Sequence, residues 1–281
     1  MNLSVMLFPF HSRLSDGTFT AAEVIDALSK EGTTAIEPML SWLDKDPAKW
    51  EEFRQTTVDK GLSFSCLDIG ANLVGLSPQD REAALDTVER GVEIACKQLD
   101  CPVVLVAGSK ADPALGDADS RKVYGEALVK AVERVKGSGI TMTIEDFGVY
   151  PTFTAAGGHC KEVLDVASAG NVKFTFDNGN FLLGGDTPTD AYKLFVDCIA
   201  HVHIKDFALR PNDDSPSLTA PNGKKYKGCM IGDGEAEVPE TLALIKGDGY
   251  DKWVSIEVGG GEPLAEAVHG VRFVRETWEQ L

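Results

Sequence analysis

The chain has 281 residues, and its 27 Lys and Arg stand against 44 Asp and Glu, a formal net charge of −17 at neutral pH. A surface that acidic repels phosphate backbones and anionic lipid, which argues against a general nucleic-acid binder and against membrane docking. Apolar residues make up 43% and charged residues 25%, the composition of an ordinary globular protein, which excludes a collagen-like, disordered or disulfide-scaffold chain. No apolar run approaches the roughly 18 residues that span a bilayer. The apolar segment 1–10 lacks a basic leader and a small-residue cleavage site, so no signal peptide is expected. Six cysteines lie scattered without a Cys-x-x-Cys pair, which points to buried thiols and a reducing, cytoplasmic compartment.

Short β-rich runs alternate with helix-period segments along the whole chain. Strands are expected near 3–8, 33–37, 62–67, 102–107, 139–145, 172–177, 199–205 and 252–257. Helices are expected near 20–30, 47–60, 78–98, 119–136, 158–168, 188–197, 238–246 and 263–279. Ser77-Pro78 and Thr187-Pro188 place a capping residue and then Pro at a first helical position, and Gly61 and Gly139 stand where a left-handed cap follows a helix. This alternation predicts an α/β protein with a (β/α)8 TIM barrel as a single domain over 1–281. A doubly wound open sheet has the same rhythm, but no Gly-x-Gly-x-x-Gly follows the first strand. The longest interruption, about 206–237, carries Pro211, Asn212, Asp213, Asp214, Pro216, Pro221, Asn222 and Gly223. In a barrel this loop lies on the C-terminal face, where active sites form.

The last four strands carry the chemistry. Side chains alternate faces along a strand. Ile140, Met142 and Ile144 therefore oppose Thr141, Thr143 and Glu145, and Val172, Phe174 and Phe176 oppose Lys173, Thr175 and Asp177. Likewise Val202 and Ile204 oppose His201, His203 and Lys205, and Val254, Ile256 and Val258 oppose Trp253, Ser255 and Glu257. Glu145, Asp177, His203 and Glu257 thus converge at the barrel mouth. Three carboxylates gathered at low dielectric repel one another unless a divalent cation joins them. Three carboxylates and one imidazole form a mostly hard ligand set, suited to Mn, Mg or Co, with Zn also admitted.

Four segments resemble the xylose isomerase-like, sugar phosphate isomerase/epimerase superfamily: Thr143-Ile144-Glu145-Asp146, Phe176-Asp177-Asn178-Gly179-Asn180, His201-Val202-His203-Ile204-Lys205-Asp206 and Ser255-Ile256-Glu257. Ile231-Gly232-Asp233-Gly234-Glu235 resembles its segment between the last two strands. The resemblance implies a TIM barrel with one divalent metal on Glu145, Asp177, His203 and Glu257. It also implies acid and base roles for Glu145 and Glu257 on opposite faces of a ketose- or inosose-like substrate, through an enediolate. Asn180 stands where the ketose 3-epimerase branch has a His, and Lys205-Asp206 with a displaced Arg210 stands where that branch has an Arg. The His-x-Lys-Asp form is closer to the inosose isomerase and inosose dehydratase branches.

The resulting expectation is a metal-dependent isomerase or epimerase of a small sugar or cyclitol, with a dehydratase or lyase at the same site as the alternative. An endonuclease IV-like nuclease is remote, because five His in all and the negative charge oppose a His-rich site on DNA. Asn180, Lys205, Glu37, Arg210 and His11 are the candidate substrate-binding residues, with an orienting role for Glu37 on a nearby His as its plainer reading. Trp42, Phe8 and Phe147 are candidates for an apolar wall. Family analogy also suggests a homo-oligomer.

Overall fold

The computed structural model describes residues 1–210, 217–259 and 261–281. Pro211, Asn212, Asp213, Asp214 and Pro216 of the expected loop lie outside the described residues.

The barrel sheet is built from β1 (Asn2–Met6), β2 (Ala35–Glu37), β3 (Ser63–Phe64), β4 (Leu67–Gly70), β5 (Val103–Ala107), β6 (Thr141–Glu145), β7 (Lys173–Asp177) and β8 (Ile199–Ile204). Its last member is β12 (Trp253–Ile256). The order is β3-β2-β1-β12-β8-β7-β6-β5-β4, every ladder parallel. The two ends of this order are halves of one expected strand. It pairs first with β2 and then, after Ser65 and Cys66, with β5. Ser65 and Asp68 still donate their backbone N–H groups to the carbonyls of Ile36 and Pro38, at 3.1 and 2.9 Å. The ring is therefore nearly closed, as a barrel requires, and leaves little open sheet edge.

Local chemistry explains the element ends. Thr20 and Glu23 form a reciprocal capping box at the start of the helix Ala21–Lys30. Ser77 caps Pro78–Ile94, and Asp46 caps Pro47–Asp59, each with Pro in the first turn. The first strand stops at Met6, short of the expected residue 8. Leu7 already turns, and Pro9, with no N–H for a ladder, sits inside a short 3-10 turn at Phe8–Phe10. Two short helices at the barrel mouth, Leu40–Lys45 and Asn180–Gly184, were absent from the sequence expectation. Each is too short to show a hydrophobic period.

The insertion after β8 is structured. β9 (Phe207–Leu209), β10 (Leu218–Thr219) and β11 (Lys225–Gly228) form a small antiparallel sheet in the order β10-β11-β9. Asp206 anchors it. Its carboxylate accepts the backbone N–H groups of Phe207, Gly232, Gly234 and Ala236 at 2.9–3.0 Å. Any side chain at Gly234 would collide with that carboxylate.

Apolar strand faces and inward helix faces form the main core, and Cys66, Val103 and Leu105 form a second, small cluster. The barrel interior is instead lined by buried polar groups, among them Ser4, Ser65, Thr143, Thr175, His201 and Ser255. Some of them pair with each other, Ser4 with Ser65 at 2.6 Å and Thr143 with Thr175 at 2.7 Å. Among the described residues, no helix is long and apolar enough to cross a membrane.

Candidate functional site

Glu145 and Asp177 end β6 and β7, His203 lies on β8, and Lys205 and Glu257 stand just past the ends of β8 and β12. Because parallel strands run in register, these side chains meet at one end of the ring. The Nδ1 of His203 is buried without a hydrogen-bond partner. It lies 3.6 Å from a Glu145 oxygen, 3.9 Å from Asp177 Oδ2 and 3.7 Å from a Glu257 oxygen. Glu145, Asp177 and His203 offer ligand atoms all within 4.8 Å of one another. Against the penalty of burial, Glu37 and Glu145 hold the His203 imidazole well above its usual pKa. A divalent cation can take the place of that proton among the three carboxylates, so the residues present fit such an ion.

Glu37 explains why that nitrogen faces the carboxylates. At the end of β2 it is fully buried, and it bonds the Nε2 atoms of His201 and His203 at 2.9 and 2.8 Å. A carboxylate on Nε2 fixes the N–H there and leaves Nδ1 as the ligand atom. Burial opposes ionisation of Glu37, but the two imidazoles hold its carboxyl well below the usual range. Its oxygens therefore serve the histidines, the orienting role, and Glu37 is not among the residues that line the cavity. Replacement of Glu37 by Gln leaves one imidazole without an acceptor. We expect a 10–100-fold loss of metal affinity with the fold retained, read by metal titration alongside circular dichroism.

Lys205 closes the constellation. Its Nζ lies 2.8 Å from Asp177 Oδ2 and 2.8 Å from Glu257 Oε1. Burial works against its charge, but the two carboxylates raise its proton affinity. In turn, burial works against Glu257, and Lys205 holds that carboxyl below its usual range. Gly179 makes room for this lysine, since a Cβ there would stand 2.5 Å from Lys205 Cγ. Asp177 is clamped from below by the N–H groups of Gly179 and Asn180 at 2.9 and 3.0 Å. The amide of Asn180 donates to Asp177 Oδ2 at 3.1 Å while Asn180 also lines the cavity.

Two expected substrate contacts fall elsewhere. His11 is half-buried and stacks on Trp42, with ring centroids 4.8 Å apart. Burial and the charge of Lys45 push its pKa down to about 4. Neither His11 nor Trp42 lines the cavity. Arg210 is exposed at the rim of the small sheet, its backbone N–H donating to the Lys225 carbonyl at 2.8 Å. It is likewise absent from the cavity wall.

Asp68 is a residue that the sequence reading missed. It lies on β4, buried, at the cavity floor, with one carboxyl oxygen unpartnered. Its signal was the alternation Leu67-Asp68-Ile69, hidden because the third strand was expected to end at residue 67. Burial, and then the charge of Glu37, push its carboxyl well above the normal range. A group raised in the folded state stabilises below its unfolded pKa and loses that contribution as pH rises through the folded one. Asn does not titrate. We therefore expect the melting temperature of Asp68→Asn, relative to wild type, to climb between pH 5 and pH 8 in a thermal shift series.

Comparison with known proteins follows the same lines. An inosose dehydratase of Clostridium botulinum (strain Eklund 17B / Type B) is 26% identical over 124 residues, a stretch that spans 41% of each chain. Among solved structures, the probable 3-DHS dehydratase AsbF from Bacillus anthracis superposes with a TM-score of 0.76 at 15% identity, over 98% of this chain and 99% of that one. D-psicose 3-epimerase with D-tagatose, from Clostridium cellulolyticum H10, gives 0.73 at 14% identity over 99% of both chains. The IOLI protein with a binding zinc atom gives 0.73 at 15% identity, over 99% of this chain and 96% of that one. At these identities the superpositions show a common fold. The family model for the xylose isomerase-like TIM barrel matches residues 25–277, and with the closed parallel ring described above the chain belongs to that family.

Proposed function

We propose that this protein is a divalent-metal-dependent enzyme that removes a carbon-bound proton beside a carbonyl of a neutral, polyhydroxylated substrate of the sugar or cyclitol class. The observation that carries this reading is the unpartnered, buried Nδ1 of His203 ringed by Glu145, Asp177 and Glu257 oxygens at 3.6–3.9 Å. Glu145, Asp177, His203 and Glu257 would hold the ion, which supplies Lewis-acid stabilisation of negative charge developing on the substrate.

Glu257 is held ionised by Lys205 and can take the proton, while Asp177, tied to two backbone N–H groups and to Asn180, is fixed as a ligand. As the C–H bond breaks, its electron pair moves into the enediolate. Glu145, brought in from β6, would enter the step protonated and give that proton to the other side, which gives epimerisation, and the two carboxyl groups then reset by exchange with solvent. Lys205 favours a second outcome. Its ammonium, 2.8 Å from Glu257, can protonate a departing β-hydroxyl, so that the same enediolate expels water. The dehydratases among the relatives support this second branch.

Among the described residues, Lys205 is the cationic side chain that lines the cavity, and both of its carboxylate partners hold it. The Gly157 N–H, at the start of the helix Gly157–Val166 where a phosphate could be held, donates to Asp186 Oδ2 at 2.7 Å. Both features favour an unphosphorylated substrate. The test is solvent deuterium uptake by Mg- or Mn-loaded protein with ketoses, inososes and 3-keto-glycosides, against a chelated control. A one-unit mass gain abolished by chelator supports proton abstraction. Loss of the mass of one water selects the dehydratase branch. Neither change in any substrate, with metal bound, refutes the reading.

A further inference from the structure

The cavity above Glu145, Lys205 and Glu257 encloses about 200 Å3. Small-molecule sites commonly run to roughly 300–1,000 Å3, so this one encloses a single ring and leaves any substituent at its rim. The polar side chains of its wall are Asp68, Glu145, Asn180, Lys205 and Glu257, all on or next to strand ends. The rest of the wall is apolar, with Met6, Phe8, Met39, Leu105, Phe147 and Val149. Phe8 is 58% exposed and Val149 57%.

Two physical arguments bear on what covers that wall. A sugar or cyclitol has apolar C–H groups on its two faces and hydroxyls around its edge, so one face can cover part of this wall, while each hydroxyl pressed against the rest would lose water without gaining a hydrogen bond. Large apolar groups left open at a pocket edge gain stability only when something apolar covers them. The side-chain types narrow the occupant further. Two phenylalanines and two methionine thioethers favour the face and edge of an aromatic ring. Phe147 is itself backed by Tyr150, with ring centroids 5.6 Å apart.

We propose that Phe8, Phe147 and Val149, with Met6 and Met39, form a subsite for an aryl substituent carried by the polyhydroxylated ring. The substrate class is then an aryl glycoside, or a similar aryl-substituted ring, bearing a carbonyl. This rests on the reading of the cavity floor as the proton-transfer site. Specificity comes from the rim, and the floor supplies the chemistry.

The test separates binding from turnover. Mg-loaded protein is titrated with p-nitrophenyl β-D-glucopyranoside and methyl β-D-glucopyranoside, two unreactive probes, by ligand-observed NMR. The aryl probe is expected to bind at least tenfold more tightly, as burial of a phenyl ring requires, with the strongest saturation transfer on its aromatic protons. Phe8→Ser and Val149→Ser, both at exposed positions and checked for fold by circular dichroism, are expected to reduce that ratio. Equal affinity for the two probes, or an aryl preference that survives both substitutions, overturns the subsite. Deuterium exchange into the matching 3-keto-glycosides is read in parallel. No exchange in either ketone, with the aryl preference intact and lost in the variants, sinks the proton-transfer reading and leaves the subsite standing.

Discussion

Replacing Glu257 by Gln is expected to lower turnover by about 10²–10⁴-fold, the usual contribution of a positioned acid–base group, with much of the metal affinity kept. The geometry explains the split. Glu257 lies 3.7 Å from the His203 nitrogen, but its Oε1 is the partner of Lys205 at 2.8 Å. The Gln carbonyl can still accept from that lysine and occupy the same volume, so neither Lys205 nor the floor packing loses its support. What disappears is a carboxylate able to hold a proton. Metal content by elemental analysis, set beside the rate of deuterium washout, separates the two effects. Wild-type activity in Glu257→Gln would remove the residue from the proton relay.

His203→Ala is expected to lose metal and activity together, with a fall in metal affinity beyond the 10–100-fold expected for Glu37→Gln. The imidazole supplies the one nitrogen in a cluster that is otherwise all oxygen, and its removal also strands Glu37. That buried carboxylate would keep His201 at 2.9 Å and lose its other partner. A buried carboxylate that loses a hydrogen-bond partner costs about 1–3 kcal/mol, so stability should fall as well. Asp177→Asn offers the cleaner comparison. It keeps one acceptor for the Gly179 and Asn180 N–H groups, yet it removes a ligand charge and the partner of Lys205. Isothermal titration with Mn should show both variants unable to bind. Retained binding in Asp177→Asn would take that residue out of the ligand set.

Much of the architecture was legible because period and register are local. Alternation within the segments 140–145, 172–177 and 201–205 depends only on strand geometry. Parallel strands that end on one face of a barrel must then bring their inward side chains together. For that reason Glu145, Asp177, His203 and Glu257 were expected to converge, and the structure brings oxygens of the three carboxylates to 3.6–3.9 Å from His203 Nδ1. Helix starts were legible on the same grounds, since a cap and a first-turn Pro act within one turn.

The residues that serve each other across the ring were decided by tertiary structure. Glu37 is 164 and 166 residues from the two histidines it orients, and no periodicity along the chain reports such a pairing. Asp68 was hidden by a strand that changes partner from β2 to β5, a break required by closure of the ring and unmarked by any Gly or Pro at 65 and 66. His11 and Trp42 stack on each other outside the cavity wall, and Phe8 is left open at the rim beside the turn at Pro9. By itself the sequence determined which side chains of the last four strands share the inward face. Ring closure, which brings distant segments within hydrogen-bond reach, decided which of them touch the cavity, which stand behind it, and what kind of surface a substrate meets at the mouth.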